Sequence, residues 1–140
     1  LRRGDIELRL HGIDAPELHQ ECQRGDGTAY ACGREARSQL AKLVAGVELS
    51  CVVLETDRYE REVATCSDGD IDINAEMVLS GWATAYTRHG SDYLAEEQSA
   101  RSARRGIWQG RFEQPEAWRN RHRDALVQGS MADEASSIHD

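Results

Sequence analysis

The segment Arg9-Leu-His-Gly-Ile-Asp14-Ala-Pro16-Glu17 sets one guanidinium and two carboxylates close together around a proline-containing turn. That combination suits hydrolysis of a phosphodiester. One carboxylate can hold a hard cation through oxygen, the other can orient or deprotonate a water, and the arginine can neutralise charge that grows on the phosphate. Acids and arginines at a turn are most often solvated surface, and alone this segment carries little weight. A second segment, Asp57-Arg58-Tyr59-Glu60-Arg61, adds Arg61 as another fork-shaped cation able to clamp a phosphate.

These residues need elements to position them. Residues 5–10 alternate polar and apolar, as in a strand with one buried face. Residues 11–32 hold Pro16, Gly25 and Gly27 and no periodicity, so they read as a long loop, a frequent home of function. Ala36, Leu40, Leu43 and Val44 mark one face of a helix that starts at Gly33 and ends at Gly46. Residues 47–55 and 61–66 read as strands joined by the turn at 56–60. Short helices are expected over 74–80, from a cap at Ser91 or Asp92 to about Arg105, and from Pro115 through Trp118, with a strand over Trp82–Tyr86. The order predicts an α+β domain: a small mixed β-barrel with helices packed on it.

The 140 residues suit one domain, and no apolar run approaches membrane-spanning length. The net charge of −8 counts against a role in nucleic-acid binding alone. Half of that charge lies in residues 124–140, which have no Lys or Arg and almost no apolar pattern. They read as a disordered acidic tail behind a domain of residues 1–123. Asp68, Asp70 and Asp72 mimic the start of an EF-hand loop, but Ile73 and Leu79 stand where Gly and Glu are required. His11, His19, His89, His122 and His139 show no metal-ligand spacing. Trp82, Trp108 and Trp118 read as packing residues.

Four cysteines without a Cys-x-x-Cys pair argue against a zinc ribbon or a thioredoxin-type motif. The midpoint of Cys51 and Cys66 falls between Arg58 and Tyr59, at the centre of the hairpin turn. In an antiparallel pair such residues face each other with Cα atoms ~4.5–5.5 Å apart, which suits a disulfide unless a bulge shifts the register. Cys22 and Cys32 would then staple the long loop. Two such bonds imply an oxidising compartment and an exported, periplasmic or secreted, chain; four free buried thiols are the alternative.

Taken in order, several patterns resemble the staphylococcal nuclease family. They are Arg9, Gly12-Ile-Asp-Ala-Pro-Glu17, Gly33-x-x-Ala36-x-x-x-Leu40, Asp57-Arg-Tyr-Glu-Arg61, Asn74-x-x-Met77-Val78-x-x-Gly81-x-Ala83, Glu97-x-x-Ala100-Arg101 and Gly106-Ile-Trp108. The resemblance covers about residues 5–118. It implies an OB-type five-stranded barrel with three helices, and calcium-dependent cleavage of DNA and RNA by attack of water on phosphorus. By position, Arg9 and Arg61 would bind the phosphate, Glu17 would position or activate water, and Asp14 with the Ala15 carbonyl would ligate Ca2+. Tyr59 would lie beside the nucleotide. A monomer is expected, with nucleic acid as substrate and no stable protein partner. The alternative is a catalytically inactive OB-type module that binds nucleic acid or protein.

Two departures stand out. The family carries an Asp-Gly-Asp-Thr segment, with a calcium-ligating Asp, on a strand just upstream of where this chain begins at Leu1. The expectation is therefore a fragment or a processed chain with a truncated first strand and an open sheet edge. Glu60 replaces the family's hairpin glycine, at a cost of about 1 kcal/mol if φ is positive there.

Overall fold

The structure is a computed structural model that describes residues 1–87 and 90–132, with Arg3 and residues 124–132 described as backbone. Its centre is a four-stranded sheet in the order β1-β2-β7-β6. It is built from β1 (Arg2–Arg3), β2 (Ile6–Leu10), β6 (Ser50–Thr56) and β7 (Glu62–Ser67). Strand β2 runs parallel to β7, with Arg9 opposite Val63, while β6 and β7 form an antiparallel hairpin. The edge of β2 away from β7 is paired by β1 over two residues.

The segment read as one long loop contains three two-residue strands: β3 (Ile13–Asp14), β4 (Cys22–Gln23) and β5 (Ala29–Tyr30). Strands β4 and β5 pair with each other; β3 pairs with β8 (Thr84–Ala85), the short core of the strand expected over 82–86. Too few residues alternate in these pieces to leave a periodic signal. Among the described residues these ladders do not close into a five-stranded barrel.

Helix α1 (Cys32–Val44) lays Ala36, Leu40, Leu43 and Val44 on the core, the face that the spacing predicts. Helix α2 (Ile73–Leu79) is capped by Asp72, whose side chain accepts from the Ala75 N–H. Ile73, Met77 and Val78 of α2 fill the centre of the core with Leu8, Leu10, Ala64 and Cys66 from the sheet. Helix α3 (Leu94–Ala103) starts later than the expected cap. Asp92 turns its carboxylate to His11, 3.1 Å away, and Tyr93 occupies the cap position. A 3-10 turn follows over Gly106–Gln109. Its Gly106 meets Gly81 so closely that a Cβ on either would lie 2.2 Å from a backbone oxygen, which explains both glycines of the sequence patterns.

There are four α-helices among the described residues, not three. Helix α4 runs from Pro115 to Ala132, well past the expected end at Trp118. Its residues lack an apolar stripe but include no helix breaker before Gly129, so propensity carries the helix where amphipathic patterning gave no sign of it. Residues 124–132, read as tail, thus have helical backbone; residues 133–140 lie outside the described residues.

Both expected disulfides are formed, Cys22–Cys32 and Cys51–Cys66, and no described cysteine is free. They call for a non-reducing compartment. Cys51 does face Cys66, although a register shift lies between Val53 and Glu55. The loop is centred on Tyr59, since Thr56 pairs with Glu62, and the extra residue of the bulge returns the register to Cys51–Cys66.

Candidate active site

The hairpin end is shaped by Asp57. Its Oδ1 accepts the backbone N–H groups of Tyr59 (2.8 Å) and Arg61 (3.0 Å), and its Oδ2 accepts the Arg61 Nε–H at 2.8 Å. Burial by itself would raise the Asp57 carboxyl pKa, but these hydrogen bonds outweigh it and hold the group below its ordinary value. One carboxylate therefore folds the turn and aims the Arg61 guanidinium. Tyr59 stands 61 % exposed, with Arg58 and Arg61 over its ring at 5.0 and 5.5 Å. Glu60 has φ 64, the left-handed conformation for which glycine is suited. Glu60→Gly should raise stability by about 0.5–1 kcal/mol, the relief of strain being partly offset by the freer unfolded chain. Urea melts of the two proteins would read this directly, and an unchanged midpoint would mean that the turn carries no strain.

The acidic loop is fixed from two sides. Gly33, at the start of α1, lies against it so tightly that a Cβ there would sit 1.8 Å from the Glu17 carbonyl oxygen. Gln20 is 1 % exposed; its side-chain oxygen accepts the Glu17 N–H at 3.1 Å, and its amide donates to the Glu113 carbonyl at 2.7 Å. The loop is thereby tied to the segment that leads into α4. On the other side, β3 holds Asp14 against β8, where the Thr84 hydroxyl donates to the Asp14 carbonyl at 3.1 Å.

Arg9, Asp14, Ala15, Glu17, Tyr59 and Arg61 all line a single cleft of about 1260 Å³. Arg9 projects from β2 with its guanidinium 5.5 Å from the Tyr86 ring centre. The fold thus brings together every residue that the sequence singles out for chemistry, from β2, the β3 loop and the β6–β7 hairpin. His89 and His139 lie outside the described residues.

Sequence reasoning misses Arg119 of α4, which lines the same cleft. Its two terminal nitrogens donate to the two carboxylate oxygens of Asp14 at 2.9 and 3.0 Å, and one of them donates also to Glu17 at 2.9 Å. The hydrogen bond to Asp14 is the largest influence raising the Arg119 pKa, against the opposing effect of burial, so the group stays charged. Asp14 is buried, whereas Glu17 is about one-third exposed. Nothing in the sequence flags Arg119, because it lies 105 positions from Asp14 on a helix without an apolar stripe.

Two carboxylates that converge on one cationic nitrogen form an oxygen donor set suited to a hard cation such as Ca2+. Among the described residues no cluster of three or more His, Cys, Asp or Glu side chains gathers at one point. The protein would therefore contribute Asp14 and Glu17, and other oxygens would complete the shell.

Such a domain, α+β with two acids and three arginines in one cleft, is of the class that acts on phosphate esters. The chain belongs to the staphylococcal nuclease family, whose model, described as staphylococcal nuclease homologue, matches residues 7–110. It is 31% identical over 121 residues to the probable staphylococcal-like nuclease CAN2 of Oryza sativa subsp. japonica, covering 84% of this chain and 30% of that protein. An uncharacterized endonuclease of Haemophilus influenzae is also 31% identical over 121 residues, with 84% of this chain and 62% of the relative covered. The succinoglycan biosynthesis protein ExoI of Rhizobium meliloti is 38% identical over 113 residues, with 78% and 57% covered. The chain spans less than two thirds of the length of each of these relatives.

Proposed function

We propose that this domain is a calcium-dependent endonuclease that hydrolyses phosphodiester bonds of DNA and RNA. The observation that carries the reading is the convergence of Arg9, Arg61, Asp14 and Glu17 on one cleft from separate elements. Ca2+, held by Asp14 and Glu17 with the Ala15 carbonyl, would supply positive charge to a non-bridging phosphate oxygen. Arg9 and Arg61 bind the same phosphate and offset the charge that builds as water adds to phosphorus. Glu17 is the more exposed carboxylate and orients the attacking water or takes its proton. Tyr59, upright and exposed at the hairpin tip, offers a ring face to a base or sugar. The family relation supports an OB-type arrangement of the strands, and the two disulfides support export. No helix among the described residues is long and apolar enough to cross a membrane. The chain is read as a monomer without a stable protein partner.

The test is cleavage of single-stranded DNA and RNA in Ca2+ and in excess chelator, by the chain and by Glu17→Gln. Calcium-dependent cutting lost in the variant is the expected result. Binding without cutting by either protein would replace the enzyme with the inactive module, a reading favoured by one observation: Arg119 already engages both acids.

A further inference from the structure

We propose that Arg119 is a tethered cation that competes with a divalent metal for Asp14 and Glu17, making α4 a strap that sets how readily the site loads. This rests on the reading of that acidic pair as a cation site. A buried carboxylate needs a partner to remain ionised, and here the partner is a guanidinium in bidentate contact with Asp14 and in single contact with Glu17. Asp14 Oδ1 and Glu17 Oε2 both lie 2.9 Å from the same nitrogen, so positive charge already sits where the two acids meet. A divalent ion and a guanidinium cannot share those oxygens without strong repulsion in a partly desolvated cleft. Loading the ion therefore requires that Arg119 move away.

The attachment of α4 allows that movement. Arg121 pairs with Glu113 at 2.8 Å, and the Glu113 carbonyl accepts from Gln20, so the start of the helix stays docked when Arg119 leaves. With a side chain only one-third exposed, Arg119 is a poised contact at the cleft and not a freely solvated arginine. Helix α4 also lies beyond residues 7–110, the part matched by the family model, so the strap is an addition to the shared domain.

The experiment is calcium titration of the full chain by calorimetry, without nucleic acid, for the parent, Arg119→Gln, Arg119→Lys and Asp14→Asn. Melting temperature is measured in Ca2+ and in chelator alongside. Arg119→Gln should bind Ca2+ at least about tenfold more tightly, the equivalent of losing one charge-assisted contact that the ion must otherwise displace. It should melt lower than the parent in chelator and gain more from Ca2+, because Asp14 then depends on the ion for its partner. Arg119→Lys keeps the charge but not the fork and should fall between, which also serves if the glutamine variant folds poorly. Equal or weaker binding by Arg119→Gln and Arg119→Lys overturns the competition alone. No calcium binding by any of the proteins, or binding by Asp14→Asn equal to the parent, overturns the cation-site reading and the competition with it.

Discussion

Arg61→Ala should lower the rate of phosphodiester cleavage by about 100-fold or more with little loss of stability, the scale expected when a donor aimed at developing charge is removed. Arg61 is placed to give this result because its Nε–H is tied up by Asp57 at 2.8 Å, which leaves the far edge of the guanidinium to face the cleft. Arg61→Lys should recover little, since an ammonium cannot both hold Asp57 and fork a phosphate. Asp57→Asn should act through Arg61: it keeps an acceptor for the turn but loses the charge that holds the guanidinium. Because the Asp57 pKa is depressed in the folded protein, the clamp is intact at neutral pH and is lost only as pH falls through that lowered pKa. Single-turnover kinetics on a short oligonucleotide would check this. An Arg61→Ala enzyme as fast as its parent would remove Arg61 from the reaction.

The chemistry was more legible in the sequence than the architecture, for a physical reason. Arg9, Asp14 and Glu17 are set by one strand and one tight turn, and Tyr59 and Arg61 by one hairpin, so local spacing already puts each group on the correct lip of the cleft. The Cys51–Cys66 pairing was legible in the same way, since hairpin register is a local property that the bulge left in place. Strands β3, β4, β5 and β8, of two residues each, were not legible, because nothing periodic fits in two residues. Helix α4 was missed because its anchors are not an apolar stripe. They include Arg119 on the acids, Arg121 on Glu113 and the Trp118 ring stacked 3.6 Å from His122. Gln20 shows the same limit: a buried amide that joins Glu17 to Glu113 has no signature in a single sequence.

Asn74→Ala should cost about 3 kcal/mol, lowering the melting temperature by about 10 °C. Asn74 is fully buried in the first turn of α2. Its side-chain oxygen accepts the Cys66 N–H at 3.1 Å, and its amide donates to the carbonyls of His11 (2.9 Å) and Ala64 (3.1 Å). One side chain thus joins α2, β7 and the turn that leads from β2 into the Asp14 loop. The Ala64 carbonyl also accepts the His11 N–H at 2.8 Å and would keep a partner; the Cys66 N–H and the His11 carbonyl would each lose theirs. Asn74→Asp should be worse, because it removes the donor and faces a carboxylate with two carbonyl oxygens in a dry interior. The loss should not stay confined to stability. His11 precedes Gly12, Ile13 and Asp14, so a loosened turn lets the acidic pair drift relative to Arg9 on β2. Small misplacements of that kind cost rate out of proportion to distance. Asn74→Ala assayed well below its melting temperature should therefore also cleave more slowly than its parent. A variant that melts early yet cuts at full rate would mean that Gln20, Gly33 and the β3–β8 ladder hold the Asp14 loop without help from Asn74.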